Sequence, residues 1–462
     1  MFKLKRQWSF GIVFVGIFVL AACSGVSGGN EPAADNVSEA VAVEERPSPT
    51  PVPPEPTLEP EPEPTETMPA ETPTEAAAAE PTATEESSDA SEDQIVTEDG
   101  LVIFTADDRS DNFTALTRGW NTNWERHTIA YDEILSGGPP RDGIPSIDDP
   151  QFISQDDAAA WLAENEPVIA VEINGEARAY PLQVLTWHEI VNDTLGNTPI
   201  IITFCPLCNS AIVFEALVNG EPTQFGTSGL LRNSDLIMYD RQTESLWQQF
   251  TGEAIVGDQV GNGRLTFLPS FLISFDDFRA AYPDGVILSK ETGFNRPYGN
   301  NPYVGYDTIG GRDPFLFQGE IDGRLPAVER VVTVSLDEEG LDIAYPLSVL
   351  SAVGIINDEQ GGRNLAVFHI FGTASALDAE QIAASEDVGA TGVFDPVVDG
   401  QALTFTTDGE LFTDNETGSF WNIVGQAVDG PLAGTQLQPI VNGDHFWFSW
   451  AAFKPDTIIY QP

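Results

Sequence analysis

The chain has 462 residues, of which 72 are acidic and 20 are basic, so its formal net charge is −52. Such an acidic protein repels phosphate backbones, which argues against nucleic acid as a partner. Hydrophobic residues make up 41% of the chain and include nine tryptophans, so the chain has enough apolar surface for a real core.

The N-terminus has the features of a secretory signal. Three basic residues among the first six precede the short apolar run FGIVFVGIFVL, which leads to LAAC ending at Cys23. The run is shorter than the ~20 apolar residues that a membrane-spanning helix needs. Because the cysteine lies at the cleavage position, the segment resembles the bacterial lipobox. We therefore expect residues 1–23 to be a lipoprotein signal, with Cys23 lipidated and the protein anchored to the cell membrane on its extracytoplasmic face.

Residues 24–100 form a segment rich in Pro, Glu and Thr, and we predict a disordered stalk. Within residues 31–100 there are 20 acidic residues and one basic residue, a net charge of −19. Such a composition cannot bury enough apolar surface to offset chain entropy, and proline with like charges keeps it extended. The rest of the chain still carries most of the negative charge, which we interpret as a solvated acidic surface.

The remaining chain contains an internal repeat. ARAYPLQVLTWHEIVND, ending at Asp193, matches DIAYPLSVLSAVGIIND, ending at Asp358. DRQTESLWQQFTGEAIVG then matches DNETGSFWNIVGQAVDG, and SFDDFRAAYPDGVIL matches SWAAFKPDTIIY, in the same order. We predict a first unit at residues 101–315 and a second, degenerate unit at residues 316–462. Whether the two units share one core is left open by the sequence.

Each unit is predicted to be α+β and rich in antiparallel strands. A strand with a tight turn leads to Tyr-Pro-Leu, and a helix of about three turns follows, up to Ile190 and Val191. A buried strand comes next, PIIITF in the first unit and LAVFHI in the second. In the first unit, Asn219-Gly220 between alternating runs predicts a hairpin.

Residues kept in both units are expected to serve the fold, and residues present in one unit only are candidates for chemistry. The kept pairs are Tyr180/Tyr345, Pro181/Pro346, Asn192/Asn357, Asp193/Asp358, Asp240/Asp414, Thr243/Thr417, Ser245/Ser419 and Trp247/Trp421. The pairs that differ are His188/Val353, Glu189/Gly354 and Arg241/Asn415, and Cys205 and Cys208 fall near His369 and Gly372 once a one-residue gap is allowed. The first unit therefore carries a set of polar and soft ligands that the second lacks.

The stretch TFCPLCNSAIVF contains both remaining cysteines, Cys205 and Cys208. Outside the cytoplasm such a pair can act as a thiol–disulfide oxidoreductase, hold a metal, or form a structural disulfide. In thioredoxin-like proteins the pair opens a helix, whereas NSAIVFEALV is typical of a strand, which weakens the redox interpretation.

A metal site would take the form of a turn between two strands, with Asn209 in the left-handed conformation. His188 is the best local third ligand, because its segment ends just before the strand that delivers the cysteines. Two thiolates and an imidazole suit copper or zinc with an open position. Glu189 and Asp235 are candidates for a further ligand or for a group that orients a ligand.

A second polar group follows the hairpin, in FGTSGLLRNSDLIMYDRQTESLW. It contains Ser228, Arg232, Asp235, Asp240 and Arg241, and its two arginines could bind a carboxylate substrate. Ion pairs with nearby acidic residues explain the same arginines more simply. The Gly, Asn, Pro and Tyr residues of ETGFNRPYGNNPYVGYD (291–307) are typical of a loop that lines a site.

The four segments YPLQVLTWHEIVND, FCPLCNSAIVF, GTSGLLRNSDLIMYDRQTESLWQQ and TGFNRPYGNNPYVGYD together resemble the bacterial and archaeal family of unknown function numbered 3179. The resemblance covers about residues 120–310. The family's pattern falls on His188, Cys205, Cys208, Ser228, Arg232, Asp235, Asp240 and Arg241, but it implies no activity. Three hypotheses follow: copper or zinc binding, thiol–disulfide exchange, or a non-catalytic scaffold or binding module with a structural disulfide.

Overall fold

The computed structural model describes residues 93–98 and 100–462. The predicted signal, its lipidation site Cys23 and nearly all of the predicted stalk lie outside these residues. Within the described part of the chain, no helix is both long enough and apolar enough to cross a membrane.

Strands dominate the described chain, and its helices are short. For residues 94–315 the strands are β1 (Gln94–Val96), β2 (Val102–Phe104), β3 (Leu135–Ser136), β4 (Phe152–Ile153), β5 (Pro167–Ile173), β6 (Glu176–Pro181), β7 (Ile190–Leu195), β8 (Thr198–Cys205), β9 (Ser210–Glu215), β10 (Leu217–Val218), β11 (Glu221–Pro222), β12 (Phe225–Arg232), β13 (Asp235–Asp240), β14 (Leu246–Gln248), β15 (Ala254–Val256), β16 (Phe267–Leu268), β17 (Phe271–Ser274) and β18 (Val286–Leu288).

The later strands are β19 (Arg330–Leu336), β20 (Leu341–Pro346), β21 (Ile355–Gln360), β22 (Arg363–Ile370), β23 (Ala390–Asp395), β24 (Val397–Val398), β25 (Gln401–Ala402), β26 (Phe405–Thr407), β27 (Phe412–Asp414), β28 (Phe420–Trp421), β29 (Ala427–Asp429), β30 (Gln438–Pro439), β31 (Asn442–Phe446) and β32 (Ile458–Ile459). The helices are α1 (Asp111–Leu116), α2 (Gln155–Ala158), α3 (Leu182–Leu185), α4 (Phe275–Ala281), α5 (Leu347–Val353) and α6 (Trp447–Phe453), with 3₁₀ turns at Tyr131–Glu133 and Ile382–Ala384.

The folded part begins earlier than we predicted. Gln94–Val96, which we assigned to the stalk, forms β1 and pairs antiparallel with β2. These residues include Ile95 and Val96, whose β-branched side chains favour strand. The Gly100 amide donates to Thr97 O between the two strands. The stalk prediction therefore extends too far at its C-terminal end.

The two parts of the chain, here called the first half (101–315) and the second half (316–462), contain similar sheets. One sheet has the order β17-β5-β6-β18-β4, and its counterpart has the order β31-β19-β20-β32. β6 pairs parallel with β18 in the first of these sheets, and β20 pairs parallel with β32 in the second. The pairs β17–β5, β5–β6, β31–β19 and β19–β20 are antiparallel. A second pair of sheets has the orders β16-β9-β8-β7 and β21-β22-β23-β30, and a third has β15-β14-β13-β12-β3 and β26-β27-β28-β29.

The helix after Tyr-Pro-Leu is much shorter than predicted. It covers only Leu182–Leu185, and Ile190 already belongs to β7, which pairs with β8 along its whole length. Glu189 has φ 59°, a left-handed conformation that a continuing helix cannot contain. The apolar residues that we assigned to the end of the helix are therefore strand residues. The Asn219-Gly220 hairpin is confirmed, with β10 paired to β11.

The residues kept in both halves make the same hydrogen bonds. Tyr180 donates its hydroxyl to Asp193 at 2.6 Å, and Tyr345 donates to Asp358 at 2.9 Å. The indole N–H groups of Trp247 and Trp421 donate to Asp240 Oδ2 and Asp414 Oδ2, each at 3.0 Å. These kept residues therefore have structural roles, as we expected from the comparison of the two halves.

The two halves share their hydrophobic cores. Phe204 of β8 lies in one buried cluster with Phe446 and Phe448 of the second half. Phe278 of α4 lies in another cluster with Trp421. The described residues accordingly belong to one compact unit, which answers the question that the sequence left open. The boundary at residues 315/316 stays a prediction of where one repeat ends and the next begins. It does not divide the hydrophobic core.

Candidate functional site

The two cysteines lie on a tight turn between β8 and β9. Cys205 is the last residue of β8 and pairs with Ser210, the first residue of β9. The Cys208 amide donates to Cys205 O at 3.2 Å, and the Asn209 amide donates to Pro206 O at 3.3 Å. Asn209 has φ 51°. The strand, proline-containing turn and returning strand are thus confirmed, with asparagine in the predicted left-handed position.

Both cysteines are buried free thiols, and Asp235 lies beside them. One sulfur from each cysteine and one carboxylate oxygen of Asp235 all lie within 4.8 Å of one another. Within residues 93–98 and 100–462, this is the one group of three or more His, Cys, Asp or Glu residues with such spacing. The site that the structure assembles is therefore Cys205, Cys208 and Asp235.

Asp235 reaches the cysteines because β12 and β13 are joined by a two-residue turn at Asn233 and Ser234, both with positive φ. Its Oδ2 accepts hydrogen bonds from Gln248 Nε2 at 2.6 Å and from the Phe250 amide at 3.0 Å. Its Oδ1 is buried and has no hydrogen-bond partner among the described residues. Burial raises the pKa of Asp235 to about 7. A buried carboxylate with one unpartnered oxygen is costly unless something else binds it.

Glu189 is a second buried carboxylate at this site. Burial, with a smaller effect of the charge of Asp235, raises its pKa to about 8. Its φ of 59° matches the left-handed conformation of Gly354 (φ 74°), which ends α5 just before β21, the corresponding strand of the second half. Glutamate therefore occupies a backbone conformation that favours glycine, and such strain is often found at functional sites.

The environment of the thiols favours their protonated forms. Burial raises the pKa of Cys205, and the nearby carboxylates of Asp235 and Glu189 raise it further, whereas the hydrogen bond with Cys208 lowers it. Burial also raises the pKa of Cys208 well above its usual value. Cys208 is followed by strand β9 and not by a helix N-terminus. A redox thiol needs the opposite environment, one that lowers its pKa.

The structure gives His188 a different place from the one that we predicted. Its Nδ1 lies 2.7 Å from Pro145 O, and its Nε2 lies 2.6 Å from Tyr298 Oη. Both ring nitrogens are therefore used by hydrogen bonds, and His188 does not belong to the group formed by the cysteines and Asp235. The reason is the early end of α3, since the turn before Ile190 directs His188 toward the loop at 291–307. Asp235, which we considered as a further ligand or orienting group, is the residue that lies with the two cysteines.

The loop at 291–317 packs against the buried cluster that contains both cysteines, through Tyr303, Tyr306 and Phe317. Burial raises the pKa values of Tyr303 and Tyr306, and the neighbouring Cys205 raises both further. Ser234 donates its hydroxyl to Phe315 O, and the Phe315 amide donates to Tyr306 Oη at 3.2 Å. The expectation that the Gly/Asn/Pro/Tyr loop lines a site agrees with these contacts.

The second half also contributes to the site, which the sequence did not indicate. The Phe446 amide donates to Cys208 O at 3.0 Å, and Asn209 Nδ2 donates to Asp444 O at 3.1 Å. Arg330 Nη1 lies 3.7 Å from Asp444 Oδ2, and its Nη2 lies 3.2 Å from Asp307 Oδ2. Asp444 pairs with Val332 of β19, whereas the first half has Leu272 paired with Ile169 at the matching position, so a carboxylate present only in the second half is the sequence signal for this contribution.

The other candidates lie outside the cysteine group. Ser228 donates its hydroxyl to Ile237 O within the bulge between β12 and β13. Arg232 forms an ion pair with Glu133 at 2.7 Å. Asp240 accepts hydrogen bonds from its own turn and from Trp247. Arg241 contacts Tyr239 and Ser146 and forms an ion pair with Asp148 at 3.0 Å. Ion pairs and turn contacts therefore account for this second group.

The family model described as "Protein of unknown function (DUF3179)" matches residues 141–457. The chain belongs to this family. Comparisons with curated proteins and with solved structures find no match. The match extends far past residue 310, where we expected the resemblance to end. The second half is therefore part of the DUF3179 domain, which agrees with its contacts to the cysteine turn and with the shared cores.

Proposed function

We propose that this DUF3179 protein binds a divalent transition-metal ion, with zinc as the best fit, through Cys205, Cys208 and Asp235. The observation that carries the proposal is the buried group of two thiols and one carboxylate within 4.8 Å of one another, in which Asp235 Oδ1 has no other partner. Zinc–sulfur bonds of ~2.3 Å and zinc–oxygen bonds of ~2.0–2.2 Å would fit inside a group of this size.

The ligand set favours zinc over copper. Thiolates alone suit copper(I), whereas a carboxylate is a harder ligand that a borderline ion such as zinc accepts. Asp235 replaces the imidazole that we first considered, so the set is more anionic than two thiolates with histidine. Three anionic ligands in a buried position are costly without a cation, and a bound metal would supply that cation and hold the thiols deprotonated.

Three protein ligands would leave the fourth position of a tetrahedral ion open, as in catalytic zinc sites. The charge of Asp235 contributes to the raised pKa of Glu189, and the strained backbone of Glu189 holds a carboxylate where the second half has glycine. We therefore propose Glu189 as the group that would contact whatever takes the open position.

The remaining parts of the proposal rest on the sequence. Cys23 would carry a lipid that anchors the protein on the extracytoplasmic face of the membrane, and the acidic stalk would separate the domain from the lipid. The second half would be a degenerate copy that lost the cysteines and supports the site. The net charge of −52 supports a role without nucleic acid.

Metal analysis of the purified full chain, together with a Cys205→Ser/Cys208→Ser variant, tests this proposal. We expect close to one zinc per chain in the wild type and almost none in the double variant. Substituted cobalt(II) should show thiolate charge-transfer absorption only in the wild type. Equal metal content in both proteins would refute the metal site. Thiol titration of the same pair would then separate redox exchange from a static disulfide.

A further inference from the structure

A large cavity lies between the two halves, and none of the three ligand residues described above lines it. Its volume is about 780 Å³, which is within the ~300–1,000 Å³ range of small-molecule sites. One side is formed by Ala211–Val213 of β9 and by Phe267 and Leu268 of β16. The other side is formed by β31 and by part of β19.

Aromatic side chains form one wall of the cavity. The ring of Phe250 lies 4.7 Å from that of His445 and 4.9 Å from that of Phe453, with which it is stacked. The rings of His445 and Trp450 are also stacked, at 5.8 Å between centroids and 9° between planes. Such a wall suits a flat apolar ring.

His445 is the unusual polar group in this wall. It is only 3% exposed, and its Nδ1 has no hydrogen-bond partner among the described residues. The ring lies so close to the backbone of β31 that a Cβ atom at Gly443 would come within 2.1 Å of Nε2. Burial lowers the pKa of His445 to about 3, so the ring is neutral and can donate one hydrogen bond and accept another.

The first half has no such group at the matching strand positions. His445 pairs with Val331 on β19, and Ile273 pairs with Val168 on β5 in the corresponding sheet. Ile273 is fully buried in a hydrophobic cluster. At this strand position the first half therefore has an aliphatic side chain, Ile273, whereas the second half has the unpartnered imidazole of His445.

Charged side chains around the cavity nearly balance one another. Three basic and four acidic residues line it, and Arg264 is paired with Asp337, while Lys454 is paired with Asp342 at 3.0 Å. The cavity therefore has no strong preference for a cation or an anion. Its distinctive features are the aromatic wall and the imidazole of His445, neither of whose ring nitrogens has a hydrogen-bond partner among the described residues.

We propose that this cavity binds a small uncharged molecule with a flat apolar ring and one hydrogen-bonding group, which bonds to His445. The proposal goes beyond the metal site and does not depend on it. The two sites meet at Phe250, whose amide donates to Asp235 and whose ring lies in the cavity wall.

Equilibrium dialysis of the full chain with 2-naphthol and with naphthalene tests the proposal, because the two probes differ only in the hydroxyl group. We expect saturable binding of 2-naphthol, and about fivefold weaker binding of naphthalene if one hydrogen bond is lost. His445→Phe keeps an aromatic ring without nitrogen, so it should remove this preference. Ser270→Trp places a large side chain at a half-buried lining position and should reduce the binding of both probes.

Zinc content and thermal unfolding serve as controls for the fold of both variants. The proposal is overturned if 2-naphthol does not bind saturably, or if the hydroxyl preference is the same in His445→Phe. Should His445→Phe fail to fold, Ser270→Trp decides alone, since undiminished binding of both probes in that variant would place them elsewhere.

Discussion

Replacing Asp235 by asparagine distinguishes a metal ligand from a carboxylate that only serves the hydrogen-bond network. The asparagine oxygen can still accept from Gln248 and from the Phe250 amide, which lie 2.6 and 3.0 Å from Oδ2. The substitution removes the negative charge and keeps the shape. We therefore expect the variant to fold and to bind zinc much more weakly than the wild type.

The expected loss in zinc affinity follows from the binding free energies of structural zinc sites. Such sites bind with ~10–16 kcal/mol shared among four ligands, or roughly 3 kcal/mol for each ligand. At ~1.4 kcal/mol per tenfold, the zinc dissociation constant should rise on the order of a hundredfold. Competition with a chromogenic chelator measures this change.

In the metal-free protein, the same substitution should not lower the thermal stability. Asp235 Oδ1 and Gln248 Oε1 are both buried without a partner, and an unsatisfied buried group costs ~1–3 kcal/mol. The asparagine amide replaces Asp235 Oδ1, so the substitution removes one of these two unpartnered acceptors and the buried charge with it. With excess chelator, we therefore expect Asp235→Asn to melt at or above the temperature of the wild type.

Asp240→Asn is the matched control, because Asp240 lies at the other end of β13 and is equally buried. It should leave zinc affinity unchanged and lower the melting temperature, since Asp240 accepts hydrogen bonds from Thr243 and Trp247. Wild-type zinc affinity in Asp235→Asn would refute the assignment of Asp235 as a ligand.

Four further predictions concern His188, Glu189, the pair Asp240 and Asp414, and His445. His188→Gln should keep its zinc by metal analysis while losing ~1–3 kcal/mol of unfolding free energy with its buried hydrogen bonds, and loss of zinc would restore it as a ligand. Glu189→Gly should raise the urea-unfolding free energy of the metal-free protein by about 1 kcal/mol, since glycine suits φ 59°, and a decrease would contradict strain. Asp240→Ala and Asp414→Ala should lower the melting temperature by similar amounts, because each holds a turn and a tryptophan, and clearly unequal losses would argue against equivalent roles. In the folded protein the pKa of His445 is lowered from 6.5 to about 3, so as the pH falls the unfolded chain binds a proton before the folded chain does. The stability of the wild type relative to His445→Phe should therefore fall as the pH drops from 6.5 to about 3. Parallel urea-unfolding stabilities of the two proteins across these pH values would contradict that assignment.

The sequence by itself determined the local features of the cysteine segment. Alternating apolar residues on both sides of CPLC indicate two strands, proline fits the turn, and asparagine tolerates the left-handed position that Asn209 occupies. The comparison of the two halves also separated structural carboxylates such as Asp193 and Asp240 from candidates for chemistry. These inferences hold because they depend on residues close together in the chain, or on patterns that occur twice.

The tertiary structure decided which side chains meet. Asp235 is 27 residues beyond Cys208, and it reaches the sulfurs only because the β12–β13 hairpin folds back over the turn. His188 is nearer in sequence, but α3 ends at Leu185 and the turn that follows directs the imidazole to Pro145 and Tyr298. Asp444 and Phe446 support the turn from more than 200 residues away. Spacing along the chain carries no information about such long-range packing, so the ligand set and the cavity between the halves emerge only from the folded molecule.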